Sequence, residues 1–112
     1  VISNIVVLTG IDNPDPMLEY LSKHYKIYKH FRFKDHHDFT VEEIDEVNDF
    51  VLNECPGGTV IVTTEKDRAR LISSISEDMF GLVPYYYLPL SIRISGQTNM
   101  IDFIKKKIHR QE

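Results

Sequence analysis

The hydrophobic residues of this chain follow two alternating periods, and this alternation constrains the fold more than any other feature. Short runs of apolar residues, rich in β-branched and aromatic side chains, alternate with longer segments whose apolar residues recur at helical spacing. The short runs lie at 4–9, 26–31, 59–62 and 83–88. Because strands and helices alternate, we expect an α/β fold, a Rossmann-like parallel sheet of about four strands with helices on both faces.

Several predicted helices have recognisable starts. Asn13 precedes Pro14 and is predicted to be an N-cap, with the proline at the first helical position. Thr40 and Glu43 match the capping-box pattern, and Thr64 is the predicted cap of the helix that follows the third strand.

A last helix is predicted from Ile101, Ile104 and Ile108, which recur at helical spacing. Basic residues at 105–107 and 110 lie near its end, where positive charge stabilises a helix. Contact with anionic lipid is the alternative role for this basic group, and the helix-end role is favoured.

Composition argues against several classes of protein. The chain has 112 residues, enough for one domain, and its net charge of −4 argues against a nucleic-acid binder. Cys55 is the only cysteine, so neither a disulfide framework nor a cysteine zinc cluster can form within one chain. No apolar run approaches the roughly 20 residues that span a bilayer. We therefore expect the chain to be soluble and, since its pattern shows no exposed apolar stripe, monomeric.

Polar residues are concentrated where the predicted strands end, in the segments 9–13, 33–38, 63–67 and 88–90. The carboxyl ends of parallel strands meet at one edge of a sheet, and open α/β sheets bind their ligands there. We therefore expect the functional site at this edge, provided that the sheet is parallel.

The segment after the second strand is the most unusual of these. Asp35, His36 and His37 lie in succession, and aromatic residues flank them. An imidazole can accept a proton from a hydroxyl group near neutral pH, and a neighbouring carboxylate can orient it. The alternative, which pattern alone favours, is a polar loop whose aspartates bond to their own backbone. No metal site is predicted, because no distant histidine or cysteine pair completes a ligand set.

Thr64, Glu65, Lys66 and Asp67 admit two interpretations. A helix cap, acids in the first turn and an exposed lysine explain all four positions without a function. Alternatively, the free N–H groups of the helix start and the Lys66 ammonium group contact an anionic group. The sequence does not choose between the two.

A phosphate-binding loop is missing from the sequence. Such a loop needs Gly-x-x-x-x-Gly-Lys-Ser/Thr, and none of the five glycines precedes a lysine. By itself the chain is therefore not expected to bind ATP well. The chain also starts at a predicted strand without a methionine, so we expect it to be part of a longer polypeptide.

Four segments become informative when they are taken in order. They read Leu-Thr-Gly-Ile at 8–11 with Asn13 and Pro14 behind it, Phe-x-Asp-His-His-x-Phe at 33–39, Ile-Val-Thr-Thr-Glu-Lys-Asp at 61–67 and Tyr-Tyr-Leu-Pro-Leu at 86–90. Together they resemble the C-terminal part of the tetraacyldisaccharide 4'-kinases, and the resemblance covers nearly the whole chain.

This resemblance implies a fold and an activity. Residues 1–112 would form the C-terminal Rossmann-like lobe of a lipid kinase, and the N-terminal lobe with the P-loop would be absent. The family uses ATP and Mg2+, bound mainly by that missing lobe, to phosphorylate the 4'-hydroxyl group of tetraacyldisaccharide 1-phosphate. The product is lipid IVA, in lipid A biosynthesis at the cytoplasmic face of the inner membrane of Gram-negative bacteria.

The resemblance also implies roles for particular residues. His36 would help to deprotonate the attacking hydroxyl group, with Asp35 as its orienting partner. The resemblance supports a catalytic role for His37 less strongly. Asn13 and the segment 64–67 would contact the lipid substrate or the partner lobe. This piece alone would be inactive. The rival hypothesis is a stand-alone Rossmann-like binding or regulatory module.

Overall fold

The computed structural model describes residues 2–89 and 100–102. Its elements are β1 (Asn4–Thr9), α1 (Asp15–Ser22), β2 (Lys26–Arg32), α2 (Val41–Glu54), β3 (Val60–Thr64), α3 (Glu65–Ser74), a 3-10 helix (Glu77–Gly81), β4 (Tyr85–Leu88) and β5 (Ile101–Asp102).

The strands form one sheet in the order β2-β1-β3-β4-β5. The pairs β1 with β2, β1 with β3 and β3 with β4 are all parallel, which confirms the predicted sheet of four parallel strands. The short strand β5 adds an antiparallel pair at the edge, where Ile101 lies opposite Tyr87 and Asp102 lies opposite Tyr86.

The predicted last helix is wrong where it can be compared, because Ile101 lies in β5. Apolar residues at helical spacing do not exclude a short strand, and the edge strand β4 offers unpaired backbone groups that an incoming strand can satisfy. The remainder of that prediction, including the basic residues at 105–107 and 110, lies outside the described residues.

The path of the chain reverses direction at β1. From β1 the chain moves to β2 on one side, and from β2 it crosses back over β1 to β3 on the other side. Since parallel crossovers are right-handed, α1 covers one face of the sheet while α2 and α3 cover the other. The predicted helices on both faces are thereby confirmed.

The core accordingly has two parts, one on each face of the sheet. Leu21 of α1 packs against Ile5 and Val7, whereas Val6 and Leu8 point to the opposite face, toward α2 and α3. Residues 5–8 are fully buried. A strand buried on both faces needs a continuous apolar run, and each such side chain contributes about 1.5–3 kcal/mol of transfer free energy.

Two polar side chains of the core, Tyr85 and Asn48, form hydrogen bonds that join different elements. The Tyr85 hydroxyl group donates to Asn48 Oδ1 (2.6 Å), and Asn48 Nδ2 donates to the Met79 carbonyl group (3.0 Å). Burial raises the pKa of Tyr85. These bonds attach α2 to β4 and to the 3-10 helix, and they agree with a packing role for the tyrosines of β4.

The helix starts agree with the sequence in two cases. Thr40 and Glu43 form the predicted capping box, and Thr64 caps α3 by accepting from the Asp67 N–H group. The predicted cap at Asn13 is wrong, because the cap residue of α1 is Pro14, which has no side chain that can bond to the helix.

Asn13 keeps a local role in front of α1. Its Oδ1 accepts from the Asp15 N–H group at 3.2 Å. Pro14 and Pro16 have no N–H group to offer, so this bond, two residues on, is the one that an asparagine here can make. The helix therefore begins one residue later than predicted.

Candidate functional site

The loops that follow β1, β2 and β3 meet at the carboxyl edge of the sheet. The Phe33 N–H group donates to the Thr9 carbonyl oxygen (2.8 Å), and the His36 N–H group donates to the Gly10 carbonyl oxygen (3.0 Å). The start of α3 joins the same edge through a side-chain contact with Gly10. The structure thus brings the Asp35-His36 turn and the Thr64 helix start together, at the point where the strand order reverses and open sheets bind ligands.

A buried carboxylate, that of Asp67, holds this edge together. Its Oδ2 accepts from the Gly10 N–H group (2.9 Å) and from the Thr64 hydroxyl group (2.8 Å). Its Oδ1 accepts from Arg70 Nη1 (2.7 Å), which supplies the compensating charge. The Asp67 side chain is 0% exposed, so a charge without these donors would be strongly destabilising there.

Gly10 is required at this position by the closeness of its neighbours. A Cβ atom there would lie 3.1 Å from Asp67 Oδ1 and 3.2 Å from the Lys34 carbonyl oxygen. Both atoms belong to the contacts that close the edge, and neither is the end of a flexible exposed side chain. The tight turn after β1 therefore depends on the absence of a side chain.

Arg70 connects the buried carboxylate to the histidine turn. Its Nη1 donates to the Gly10 carbonyl oxygen (3.0 Å) as well as to Asp67, and its Nη2 donates to His36 Nδ1 (3.1 Å). Arg70 was not predicted from the sequence as a site residue. Its spacing was the available signal, because residues i and i+3 on a helix lie on the same face.

His36 is held by its backbone and presents its ring to solvent. It has a φ of 64°, in the left-handed region that few residues other than glycine occupy, although histidine tolerates it better than most. Its side chain is 77% exposed, and its Nε2 lies 3.4 Å from Asp35 Oδ2. The two residues predicted to act together are therefore adjacent and accessible.

His37 faces a different part of the molecule. Its Nε2 donates to Glu43 Oε1 (2.8 Å), which also accepts from the Thr40 N–H group (2.9 Å). Its ring packs against Phe33 and Phe39. Burial opposes ionisation of Glu43, but the bonds from His37 and Thr40 outweigh it and lower the pKa of this carboxyl group. His37 therefore supports the start of α2.

The remaining predicted site residues differ in exposure. Thr64 is buried beneath the edge, as Asp67 is, and its hydroxyl group is used within the chain. Glu65 is half-buried at the first position of α3, whereas Lys66 and Asn13 are exposed. The exposure of Lys66 leaves its ammonium group accessible at the edge.

This arrangement can be compared with known proteins. A family model described as Tetraacyldisaccharide-1-P 4'-kinase matches residues 2–109. The chain belongs to this family.

The curated relatives in this family are longer than the chain. The chain is 36% identical over 105 residues to a tetraacyldisaccharide 4'-kinase of Cytophaga hutchinsonii, covering 92% of the chain and 29% of the relative. It is 30% identical over 110 residues to that of Phocaeicola vulgatus, covering 92% and 30%. No solved structure matches the chain. The chain thus spans about 30% of the length of the kinases that it matches.

A third histidine, His30, lies at the same edge and was not predicted as a site residue. His30 Nε2 is 2.8 Å from Thr9 Oγ1, on the face that α1 covers. Burial lowers the pKa of His30, with Arg32 acting in the same direction and Asp15 opposing them. The alternation of β2 gave no sign of this contact, because it depends on the register between β1 and β2.

Two further observations concern metal ligands and membrane spans. Among residues 2–89 and 100–102, no group of three or more histidine, cysteine or acidic side chains could hold a metal ion. In the same part of the chain, no helix is long and apolar enough to cross a membrane. The groups that this edge presents are an exposed imidazole beside a carboxylate, with an anchored guanidinium behind it.

Proposed function

We propose that this chain is the C-terminal part of a tetraacyldisaccharide 4'-kinase and that it supplies His36 as the base of the reaction. The substrate would be the 4'-hydroxyl group of tetraacyldisaccharide 1-phosphate, the phosphoryl donor would be ATP, and the product would be lipid IVA. The observation that carries the proposal is the position of an exposed His36 at the switch point of a sheet whose chain belongs to this kinase family.

The proposed chemistry requires this segment to supply a general base that is correctly positioned. His36 takes the proton of the hydroxyl group, the hydroxyl oxygen forms a bond to the γ-phosphorus, and the bond to the leaving oxygen of ADP breaks. Phosphoryl transfer depends mainly on positioning and charge stabilisation, so a base on one lobe can act on a donor held by another. Asp35, 3.4 Å from the ring, supports the orientation of His36.

The proposal assigns the other components to the remainder of the enzyme. Among residues 2–89 and 100–102, no group of three or more histidine, cysteine or acidic side chains could hold a metal ion, and the Asp67 carboxylate is already used by internal donors. We therefore expect an N-terminal lobe with a P-loop to bind ATP and Mg2+ and to act as the partner of this segment. The assembled enzyme would work at the cytoplasmic face of the bacterial inner membrane, as a monomer.

An exchange of segments tests the proposal. The matched segment of the Cytophaga hutchinsonii relative is replaced by this chain, and phosphate transfer from radiolabelled ATP to tetraacyldisaccharide 1-phosphate is measured. We expect the chimera to be active and His36→Ala to lower kcat by roughly 100-fold or more, with little change in KM for ATP.

His24→Ala is the matched control for this experiment. His24 is also an exposed histidine, but it follows α1 at the opposite edge of the sheet, so its removal should leave kcat unchanged. An active chimera that tolerates His36→Ala as well as His24→Ala would remove His36 from the chemistry. A chimera without any transfer would count against the assignment of the segment.

A further inference from the structure

His36 is highly exposed, yet both of its ring nitrogens lie close to a polar partner. Nδ1 lies 3.1 Å from Arg70 Nη2, and Nε2 lies 3.4 Å from Asp35 Oδ2. A guanidinium group has only donors, so Nδ1 must be the acceptor and the proton of the neutral ring must be on Nε2. The single lone pair of the ring is therefore covered by Arg70, although 77% of the side chain is accessible.

Arg70 is itself fixed in place, which distinguishes this contact from an incidental one at the surface. Its side chain is 19% exposed, and its Nη1 donates both to the buried Asp67 carboxylate and to the Gly10 carbonyl oxygen. The guanidinium group is planar and rigid, so anchoring Nη1 also determines where Nη2 points. The edge of the sheet thus presents one N–H group of Arg70 to His36.

We propose that Arg70 is the positioning residue for His36, and that its release from Nδ1 is the step that makes the ring a base. This inference rests on the proposed function, in which His36 accepts the proton of the substrate hydroxyl group. While Nη2 donates to Nδ1, a hydroxyl group cannot donate to the same lone pair. Nε2 cannot replace it, because a proton on Nδ1 would then face the guanidinium donor.

The step is balanced within the proposed reaction. Nη2 leaves Nδ1 for an oxygen of an arriving phosphate group, an acceptor that guanidinium groups favour, while Nη1 stays on Asp67. The hydroxyl group then donates to Nδ1, and its proton moves there as the oxygen attacks phosphorus. Before the phosphate arrives, Arg70 holds the ring in place and unreactive.

Chemical labelling of the chain tests the contact without any kinase assay. Diethyl pyrocarbonate acylates an imidazole nitrogen that has a free lone pair, and labelled histidines are identified by peptide mass spectrometry. At about pH 8, where histidines are neutral, we expect His36 to react about fivefold more slowly than the exposed His24. In Arg70→Met whose circular dichroism spectrum matches that of the parent chain, the rate at His36 should rise to that of His24.

Arg68→Met is the matched control, because it makes the same change on the same helix. Arg68 lies over the ring of Tyr87, 4.9 Å from its centre, and no contact joins it to His36. Its substitution should leave the labelling of His36 slow. Equal rates at His36 and His24 in the parent chain, or a slow His36 that persists in Arg70→Met, would overturn the inference.

The chimera with the Cytophaga hutchinsonii relative supplies a second readout. Arg70→Met should lower kcat by about tenfold or more and change KM for ATP by less than about twofold, since the base is misplaced while the nucleotide site is untouched. Arg70→Lys should recover part of the loss, and Arg68→Met should match the parent. If the parent chimera is inactive, the proposed function fails, and the labelling rates still decide the role of Arg70. Parental kcat in Arg70→Met would reject that role.

Discussion

At the scale of single residues, the edge of the sheet depends on how closely neighbouring atoms approach Gly10. Gly10 lies against a buried carboxylate and a backbone carbonyl group, and both would have to move to admit a side chain. Gly57, in the turn before β3, has no atom within 4 Å of the position that a Cβ atom would occupy. A side chain would therefore be crowded at Gly10 but not at Gly57, a difference that the sequence alone does not show.

Substitution by alanine should separate these two glycines. We expect Gly10→Ala to lower the free energy of unfolding by about 1–3 kcal/mol, because its Cβ atom crowds Asp67 Oδ1 and the Lys34 carbonyl oxygen. Gly57→Ala should be neutral or stabilising by up to about 1 kcal/mol, since it restricts the unfolded chain without a clash. Urea denaturation measures both. Similar losses in the two variants would show that crowding at Gly10 is not the cause.

At the scale of elements, local signals in the sequence were reliable where one short segment determines the outcome. The capping box of α2 involves only Thr40 and Glu43, and it forms as predicted. The start of α1 was misplaced because Pro14 and Pro16 alter which N–H groups exist to be capped. The bond between His37 and Glu43 could not be foreseen, since it depends on how the loop after β2 folds back on α2.

The start of α2 should respond to pH through Glu43. The pKa of this carboxyl group is below its ordinary value of about 4.5, so its contribution to stability is complete above that value and is lost as pH falls through the folded-state pKa. Glu43→Gln keeps the capping bond but not the charge. We expect it to reduce stability by at most about 1 kcal/mol at neutral pH, with the difference vanishing in acid.

Glu42→Gln is the control for that measurement. Glu42 is an exposed acid in the same first turn, so it shares the favourable helix-end charge without the contacts to His37 and Thr40. The free energies of unfolding of the two variants, measured by circular dichroism between about pH 3 and pH 7, can then be compared. If Glu42→Gln shows the same pH-dependent loss as Glu43→Gln, the helix end rather than the contacts stabilises the charge.

At the scale of the whole molecule, the topology was predictable and the closure of the site was not. Alternating periods gave the parallel sheet and its two helical faces, because burial on both faces requires continuous apolar strands such as β1. The strand order brings Gly10, His36 and Arg70 together from three distant parts of the chain. No pattern within a window of the sequence indicates such a contact, and β5 was missed for the same reason.

Asp67 joins these distant segments, so its replacement should lower the free energy of unfolding of the whole chain. In Asp67→Asn an amide nitrogen would face the donors of Gly10 and Thr64 or that of Arg70, and the guanidinium charge would lose its buried partner. We expect a loss of about 3–5 kcal/mol in the free energy of unfolding, a large part of the stability of a small domain. Asp45→Asn, on the exposed face of α2, should change the free energy of unfolding by less than about 0.5 kcal/mol.

The double variant Asp67→Asn with Arg70→Met should lose less stability than the sum of the two single losses, because it removes both charges together. Additive losses in urea denaturation would mean that the pair does not act as a unit and that the three segments are held together by their backbone contacts alone.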